Sequence, residues 1–252
     1  MELNLSGKKA IVTGGGRGLC RSIAEALHDS GAEVILVGSS DAARLAAQEM
    51  GAHGAPVHAV TGNLADRQEC TRIFEDCMDL LGGRVDILVN GAGMQYRCDA
   101  ADFPAEKWQQ VLDVNLSAVF YLSQLAGKVM IDQRYGKIIN LASMTSFFGS
   151  TRIPAYSASK GAIVQLTKAL SNEWAQYGVN VNAIAPGYMN TALTDEIREK
   201  NPEQYRQTTQ RIPAGRWGTG EDLKGIAVFL ASDASAYISG AVIPVDGGYL
   251  GR

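Results

Sequence analysis

The chain has 252 residues, 46% of them hydrophobic and 19% charged, which is enough to bury a sizeable core without disulfides or metals. Its 23 basic and 26 acidic residues leave a net charge of -3, which offers no broad attraction for nucleic acid or anionic lipid. No uninterrupted apolar run reaches the roughly 18 residues of a membrane span, and no basic segment followed by an apolar stretch opens the chain, so a cytoplasmic protein with no membrane partner is expected. The four cysteines, Cys20, Cys70, Cys77 and Cys98, show no metal-ligand spacing, and His28, His53 and His58 match no zinc motif. Reduced thiols, surface or structural histidines and no bound metal are expected.

Lys9 to Thr13 reads as a strand, and Leu19, Ile23, Ala26 and Leu27 give the stretch from Gly18 to Ser30 a helical period. Glu33 to Val37 reads as the second strand, and a helix follows from Asp41, as N-cap, to Met50. Pro56 to Val60, Asp86 to Val89, Lys137 to Leu141, Val179 to Ile184 and Ala241 to Val245 complete the strand set, with helices filling most of the gaps. Apolar strands alternating with helices are what an α/β doubly wound parallel sheet, covered on both faces, requires. With no linker, repeat or charge block, residues 1–252 read as one domain. The polar stretch around 190–220, with Pro202 and Pro213, reads as an irregular insertion over a site.

Two constellations carry chemistry. The first strand runs through Thr13, Gly14, Gly15, Gly16, Arg17 and Gly18 straight into the first helix at Leu19. Glycines there let the backbone turn sharply toward a pyrophosphate, whose charge meets free amides at the helix N-terminus. Further on, Tyr156 and Lys160 are spaced i and i+4 on a helix beginning near Pro154, so they share a face. A lysine ammonium beside a phenol favours the phenolate, and the pair could exchange a proton with an alcohol or carbonyl. Ser143 follows the strand ending at Leu141, at the carboxyl edge where open parallel sheets bind ligands, and its hydroxyl could hold the substrate oxygen.

These segments, with Asn90-Gly91-Ala92-Gly93, Asn115 and Pro186-Gly187, resemble the short-chain dehydrogenases/reductases in order and spacing over the whole chain. The resemblance implies a seven-stranded Rossmann sheet, a nicotinamide cofactor and a homotetramer. It implies a catalytic tetrad of Asn115, Ser143, Tyr156 and Lys160. Tyr156 is the acid or base, Lys160 lowers its pKa and holds the nicotinamide ribose, Ser143 orients the carbonyl, and Asn115 supports a water-linked proton path. The implied cofactor contacts are Gly14, Gly16, Arg17, Gly18 and Leu19 in the loop, Ser39 and Ser40 after the second strand, and Asn63 and Leu64 after the third. Asn90, Gly91 and Ala92, then Tyr156 and Lys160, then Pro186 and Gly187 complete the set. The chain departs from the family pattern at Cys20, which replaces the last loop glycine, and at Gly91, which replaces a second asparagine.

A closer resemblance to the sugar-acid dehydrogenases of this family, acting on gluconate or keto-deoxygluconate types, lies in the segments 141–156, 172–175, 182–188 and 211–218. It implies a carboxylate-bearing substrate, for which Arg97 and Arg152 on strand-end loops are the candidate ligands. Acyl-carrier-protein ketoreductases share much of the framework and are the alternative, with a catalytically silent nucleotide-binding scaffold as a further class. Gly38 stands where an aspartate would meet the ribose hydroxyls of NAD, and Ser39, Ser40 and Arg17 lie nearby, so NADP(H) is favoured over NAD(H). Asp41 would oppose a 2′-phosphate if its loop folded inward. Cys20 is expected to pack rather than to react.

Overall fold

The computed structural model describes residues 3–191 and 201–251. Its strands are β1 (Lys9–Thr13), β2 (Glu33–Gly38), β3 (Val57–Thr61), β4 (Ile87–Asn90), β5 (Gly136–Leu141), β6 (Val179–Pro186) and β7 (Val242–Val245). All pair in parallel in the order β3-β2-β1-β4-β5-β6-β7, the doubly wound sheet that the alternating pattern requires. The helices are α1 (Gly18–Asp29), α2 (Ala42–Met50), α3 (Arg67–Leu80), α4 (Ala105–Leu112), α5 (Ala118–Gln133), α6 (Pro154–Trp174), α7 (Pro202–Gln210) and α8 (Glu221–Ala231).

Successive strand residues point to opposite faces, and the core divides accordingly. Val12, Leu36, Val89 and Ile139 pack with Ile23 and Leu27 of α1 and with Leu223 and Ala227 of α8. Ile11, Val37, Leu88 and Ile138 pack on the other face with Ile73 and Phe74 of α3, Leu122 and Met130 of α5, and Leu170 of α6. Because β1 is flanked by β2 and β4, the connections diverge there and open a crevice at the carboxyl ends of the strands. Among the described residues one helical run, Ala105–Gln133, is long and apolar enough to cross a membrane. Its α5 part instead lies in the core through Leu122, Ala126 and Met130.

Several expectations shift. β2 extends to Gly38 and β6 to Pro186, while β3, β4 and β7 each begin one residue later than read. Ser30 caps α1 instead of belonging to it. Asp41 stands at the N-cap of α2 but has helical backbone angles and makes no cap hydrogen bond; its carboxylate pairs with Arg44 at 3.4 Å. From Asn201 onward the insertion is regular where its composition reads as irregular. Asn201 Oδ1 accepts from Gln204 N (3.2 Å) to cap α7, and Ile212 and Trp217 are buried. Residues 192–200 of the insertion lie outside the described residues. His28 is buried with Nε2 2.9 Å from Ala55 O, a structural histidine as expected.

Candidate active site

The glycine loop leaves β1 at the switch point. Gly14 adopts φ +74°, and a Cβ on it would press on the Ala92 backbone at 3.1 Å. Gly16 is held against α2, where a Cβ would lie 2.6 Å from Ala43 N. Gly18 has φ +58° and open space where a side chain would sit. Arg17, at the N-cap of α1, makes no capping hydrogen bond, and no acidic residue occupies the first turn. Uncapped amides with a positive dipole end and room above Gly18 fit a dinucleotide pyrophosphate. Ser39, Ser40 and Arg17 are exposed beside Gly38. At the end of β3, Asn63 Oδ1 accepts from Ala65 N (3.0 Å), and Leu64 is buried. At the far side, Gly187 N donates to Val245 O (2.9 Å), and a Cβ on Gly187 would lie 2.6 Å from Asp246 Cα.

Thr13, which sequence reasoning did not single out, ties the two central loops together. Its Oγ1 accepts from Gly91 N (3.0 Å) and Ala92 N (3.1 Å). Asn90 does not present its side chain to the crevice. Its Nδ2 donates to Ser123 Oγ (3.0 Å) and Asn140 Oδ1 (2.9 Å), while Asn140 Nδ2 donates to Thr167 Oγ1 (3.0 Å). That buried polar chain links β4 and β5 to the helices beneath them.

The residues of the expected tetrad come from three elements, with Tyr156 and Lys160 both on α6. Asn115 sits in a π-helical turn, Asp113–Ser117, between α4 and α5, and is fully buried. Its Oδ1 accepts from Met94 N (2.8 Å), and its Nδ2 donates to Met94 O (2.9 Å) and Ser159 Oγ (3.2 Å). It thus braces the loop after β4 against α6. Ser143 caps a short 3₁₀ turn, accepting from Thr145 N (3.2 Å), while Ser146 Oγ donates to Lys160 O (2.6 Å) and anchors that turn to α6. Lys160 is 5% exposed, and its Nζ donates to Leu141 O (2.5 Å).

Burial brings the Lys160 ammonium down to about 8. Burial also holds Tyr156 above the usual phenol value, against a hydrogen bond with Ser143 that pulls it down. The expectation that Lys160 depresses Tyr156 is not met in this geometry. The ammonium is turned onto the Leu141 carbonyl and lies 5.7 Å from the Tyr156 ring centroid, so desolvation wins.

Of the two arginines, Arg152 is held in the left-handed region (φ +65°) and pairs through Nε with Asp99 at 3.0 Å. Its carbonyl accepts from Cys98 N (2.9 Å), which ties the loop after β4 to the entry of α6. Arg97 is exposed on that loop, and burial and the neighbouring Tyr249 hold the Tyr188 hydroxyl above the usual phenol value, against smaller lowering by Arg211 and Arg97. Tyr188 belongs to an aromatic wall beside Ser143, built with Met144, Phe148, Trp217 and Tyr249. All of them except Tyr249 fall in segments that carry the closer resemblance, but nothing in those segments shows that the residues converge from four separate stretches of chain on one wall.

All four cysteines are free, as expected. Cys20 is buried, and burial raises its thiol to about 11, so it is a neutral packing group. Among the described residues no cluster suited to a metal ion occurs.

A glycine-lined crevice at the switch point, with Ser143 just past β5 and Tyr156 and Lys160 on α6, fits a nicotinamide-dependent oxidoreductase, and the chain belongs to the short-chain dehydrogenase/reductase family. The family profile described as Enoyl-(Acyl carrier protein) reductase matches residues 14–250. The chain is 46% identical over 250 residues to a 2-dehydro-3-deoxy-D-gluconate 5-dehydrogenase of Bacillus subtilis, covering 99% of this chain and 97% of that one. It is 45% identical over 253 residues to the enzyme of that name from Pseudoalteromonas atlantica, covering 100% and 99%. The crystal structure of a gluconate 5-dehydrogenase from Burkholderia cenocepacia in complex with NADP and tartrate superposes with a TM-score of 0.94 at 33% identity, covering 100% and 98%.

Proposed function

We propose that the protein transfers hydride between NADP(H), in preference to NAD(H), and a secondary alcohol or ketone of a sugar acid of the gluconate or keto-deoxygluconate type. The observation that carries the reading is the convergence of Ser143, Tyr156 and the buried Lys160 beside the glycine-lined crevice. The nicotinamide, when bound, supplies or accepts the hydride. Gly14, Gly16, Gly18 and Leu19 would hold its pyrophosphate, Lys160 its ribose, and Pro186 and Gly187 its far end. Tyr156 exchanges the proton with the substrate oxygen, which Ser143 holds by a hydrogen bond. Lys160 keeps a positive charge near that exchange when protonated, and Asn115 fixes Met94 and Ser159 on either side.

The cofactor preference rests on three features. Gly38 places no carboxylate at the end of β2, Asp41 is engaged in an exposed ion pair with Arg44 at 3.4 Å, and Ser39, Ser40 and Arg17 are exposed for a 2′-phosphate. The relative from Burkholderia cenocepacia carries NADP. The stretch around 190–220 covers the substrate of a single domain, and the enzyme works as a cytoplasmic homotetramer.

Arg97 and Arg152 are the proposed ligands of the substrate carboxylate, with Arg152 exchanging Asp99 for it. Removing a charge-assisted contact costs about 1.5–3 kcal/mol. Arg97→Ala and Arg152→Ala should therefore lose activity on a keto sugar acid but not on the matching neutral sugar. Equal losses on both substrates, or none, would remove the carboxylate clamp and favour the ketoreductase alternative.

A further inference from the structure

Two departures from the family pattern, 71 positions apart in the chain, meet in space. Cys20, in the first turn of α1, is 9% exposed and donates its thiol to Gly91 O at 3.2 Å. A Cβ placed on Gly91 would collide directly with Cys20 Sγ, while its next neighbours, Thr13 O at 3.0 Å and Cys20 Cβ at 3.3 Å, need only small adjustments. Gly91 is not among the glycines with positive φ, so its backbone would accept any side chain. The glycine at 91 is therefore demanded by the sulfur and not by the turn.

What the pair controls follows from its neighbours. The Gly91 and Ala92 amides are fixed on Thr13 Oγ1, and the Ala92 backbone supports Gly14 of the pyrophosphate loop. Two residues on, a Cβ at Gly93 would lie 3.4 Å from Asn115 Oδ1 and 3.9 Å from Lys160 Nζ. The turn that Cys20 touches thus borders both the dinucleotide cradle and the catalytic lysine.

We infer that Cys20 and Gly91 form one compensated steric pair, in which the sulfur fills the volume that residue 91 vacates, and that Cys20 is thereby a positioning residue for the cofactor bed. The inference is independent of the substrate. It concerns where the turn 91–93 stands relative to the glycine loop.

The test moves one heavy atom across the contact. Gly91→Ala inserts a methyl where the sulfur already sits. Cys20→Ala removes the sulfur, and the double variant transfers the volume from residue 20 to residue 91. The readouts are the Kd for NADPH and, in parallel, NADH by fluorescence titration, together with the Tm of the cofactor-free proteins. Gly91→Ala should weaken binding roughly 10- to 100-fold, the size that overpacking a filled site produces. Adding Cys20→Ala should restore Kd to within about threefold of the parent, a strong positive coupling for residues in contact. If Gly91→Ala fails to fold, recovery of a folded, cofactor-binding protein in the double variant is the supporting result.

Three outcomes overturn the pair: Gly91→Ala binding as the parent does, a double variant no better than Gly91→Ala, or Tm changes with Kd unmoved. The last would make the contact merely structural.

Discussion

Replacing Asn115 by alanine isolates the brace on which the loop after β4 depends. The carboxamide makes three hydrogen bonds, at 2.8, 2.9 and 3.2 Å, and is fully buried. At about 1 kcal/mol each, their loss amounts to about 3 kcal/mol. For a domain of this size that corresponds to a fall in Tm of about 6–12 °C. Asn115→Asp sharpens the test. Aspartate keeps an acceptor for Met94 N but turns an oxygen toward the Met94 carbonyl that Nδ2 now serves, and it buries a charge. It should destabilise at least as much as alanine. Thermal unfolding followed by circular dichroism, with cofactor titration on the surviving folded protein, reads both effects. A fall of less than about 1 °C in Asn115→Ala, well below the roughly 2–4 °C share of one hydrogen bond, would refute the brace.

Tyr156→Phe should lower turnover about 10²- to 10⁴-fold while cofactor Kd stays near the parent value; near-normal turnover would remove Tyr156 from the mechanism. Cys20 should react slowly with an alkylating reagent and more slowly with NADPH bound, because its thiol is buried and raised to about 11; rapid labelling that NADPH fails to slow would contradict that placement. Alkaline pH should destabilise the fold. Burial raises Cys20, Cys70 and Cys77 above the ordinary thiol value of 9.0, and it raises Tyr135, Tyr156 and Tyr188 above 10.0. The unfolded chain gives up those protons first as pH rises from about 8.5, so their stabilising contribution is lost through the alkaline range. Lys137 and Lys160, depressed to about 8, act oppositely between about 8 and 10.5 and offset much of that loss there, so the destabilisation emerges above about 10.5, where the lysine contribution has levelled off and the phenols still titrate. A Tm at about pH 11.5 equal to or above that at about pH 10.5 would contradict this balance.

The strand and helix alternation was legible because both faces of the sheet are covered, which makes each strand an apolar run with no competing reading. The glycine loop and the Tyr156 and Lys160 spacing were legible for a related reason. Local backbone geometry and the helical repeat place them, so short sequence windows contain the information. What escaped the sequence depends on contacts across the fold. Asn90 lies in a motif that reads as cofactor-binding, yet its carboxamide turns into the sheet because Ser123 and Asn140 offer it partners there. Asp41 has the residue type of an N-cap, but the nearby Arg44 takes its carboxylate. Ser146 and Ser159, which position Lys160 and Asn115, are ordinary serines until α6 brings them alongside. Cys20 and Gly91 read as two separate departures because nothing local relates residues on α1 and at the end of β4.

The central claim, hydride transfer to a keto sugar acid, is tested most directly by following NADPH absorbance with a panel of keto-deoxygluconate and ketogluconate substrates beside an acyl-carrier-protein-linked ketone. The account predicts turnover with at least one sugar acid, abolished in Tyr156→Phe, and none with the acyl thioester. Turnover confined to the acyl thioester would contradict the substrate class. Cofactor binding with no turnover on any ketone would contradict the claim that this site is catalytic.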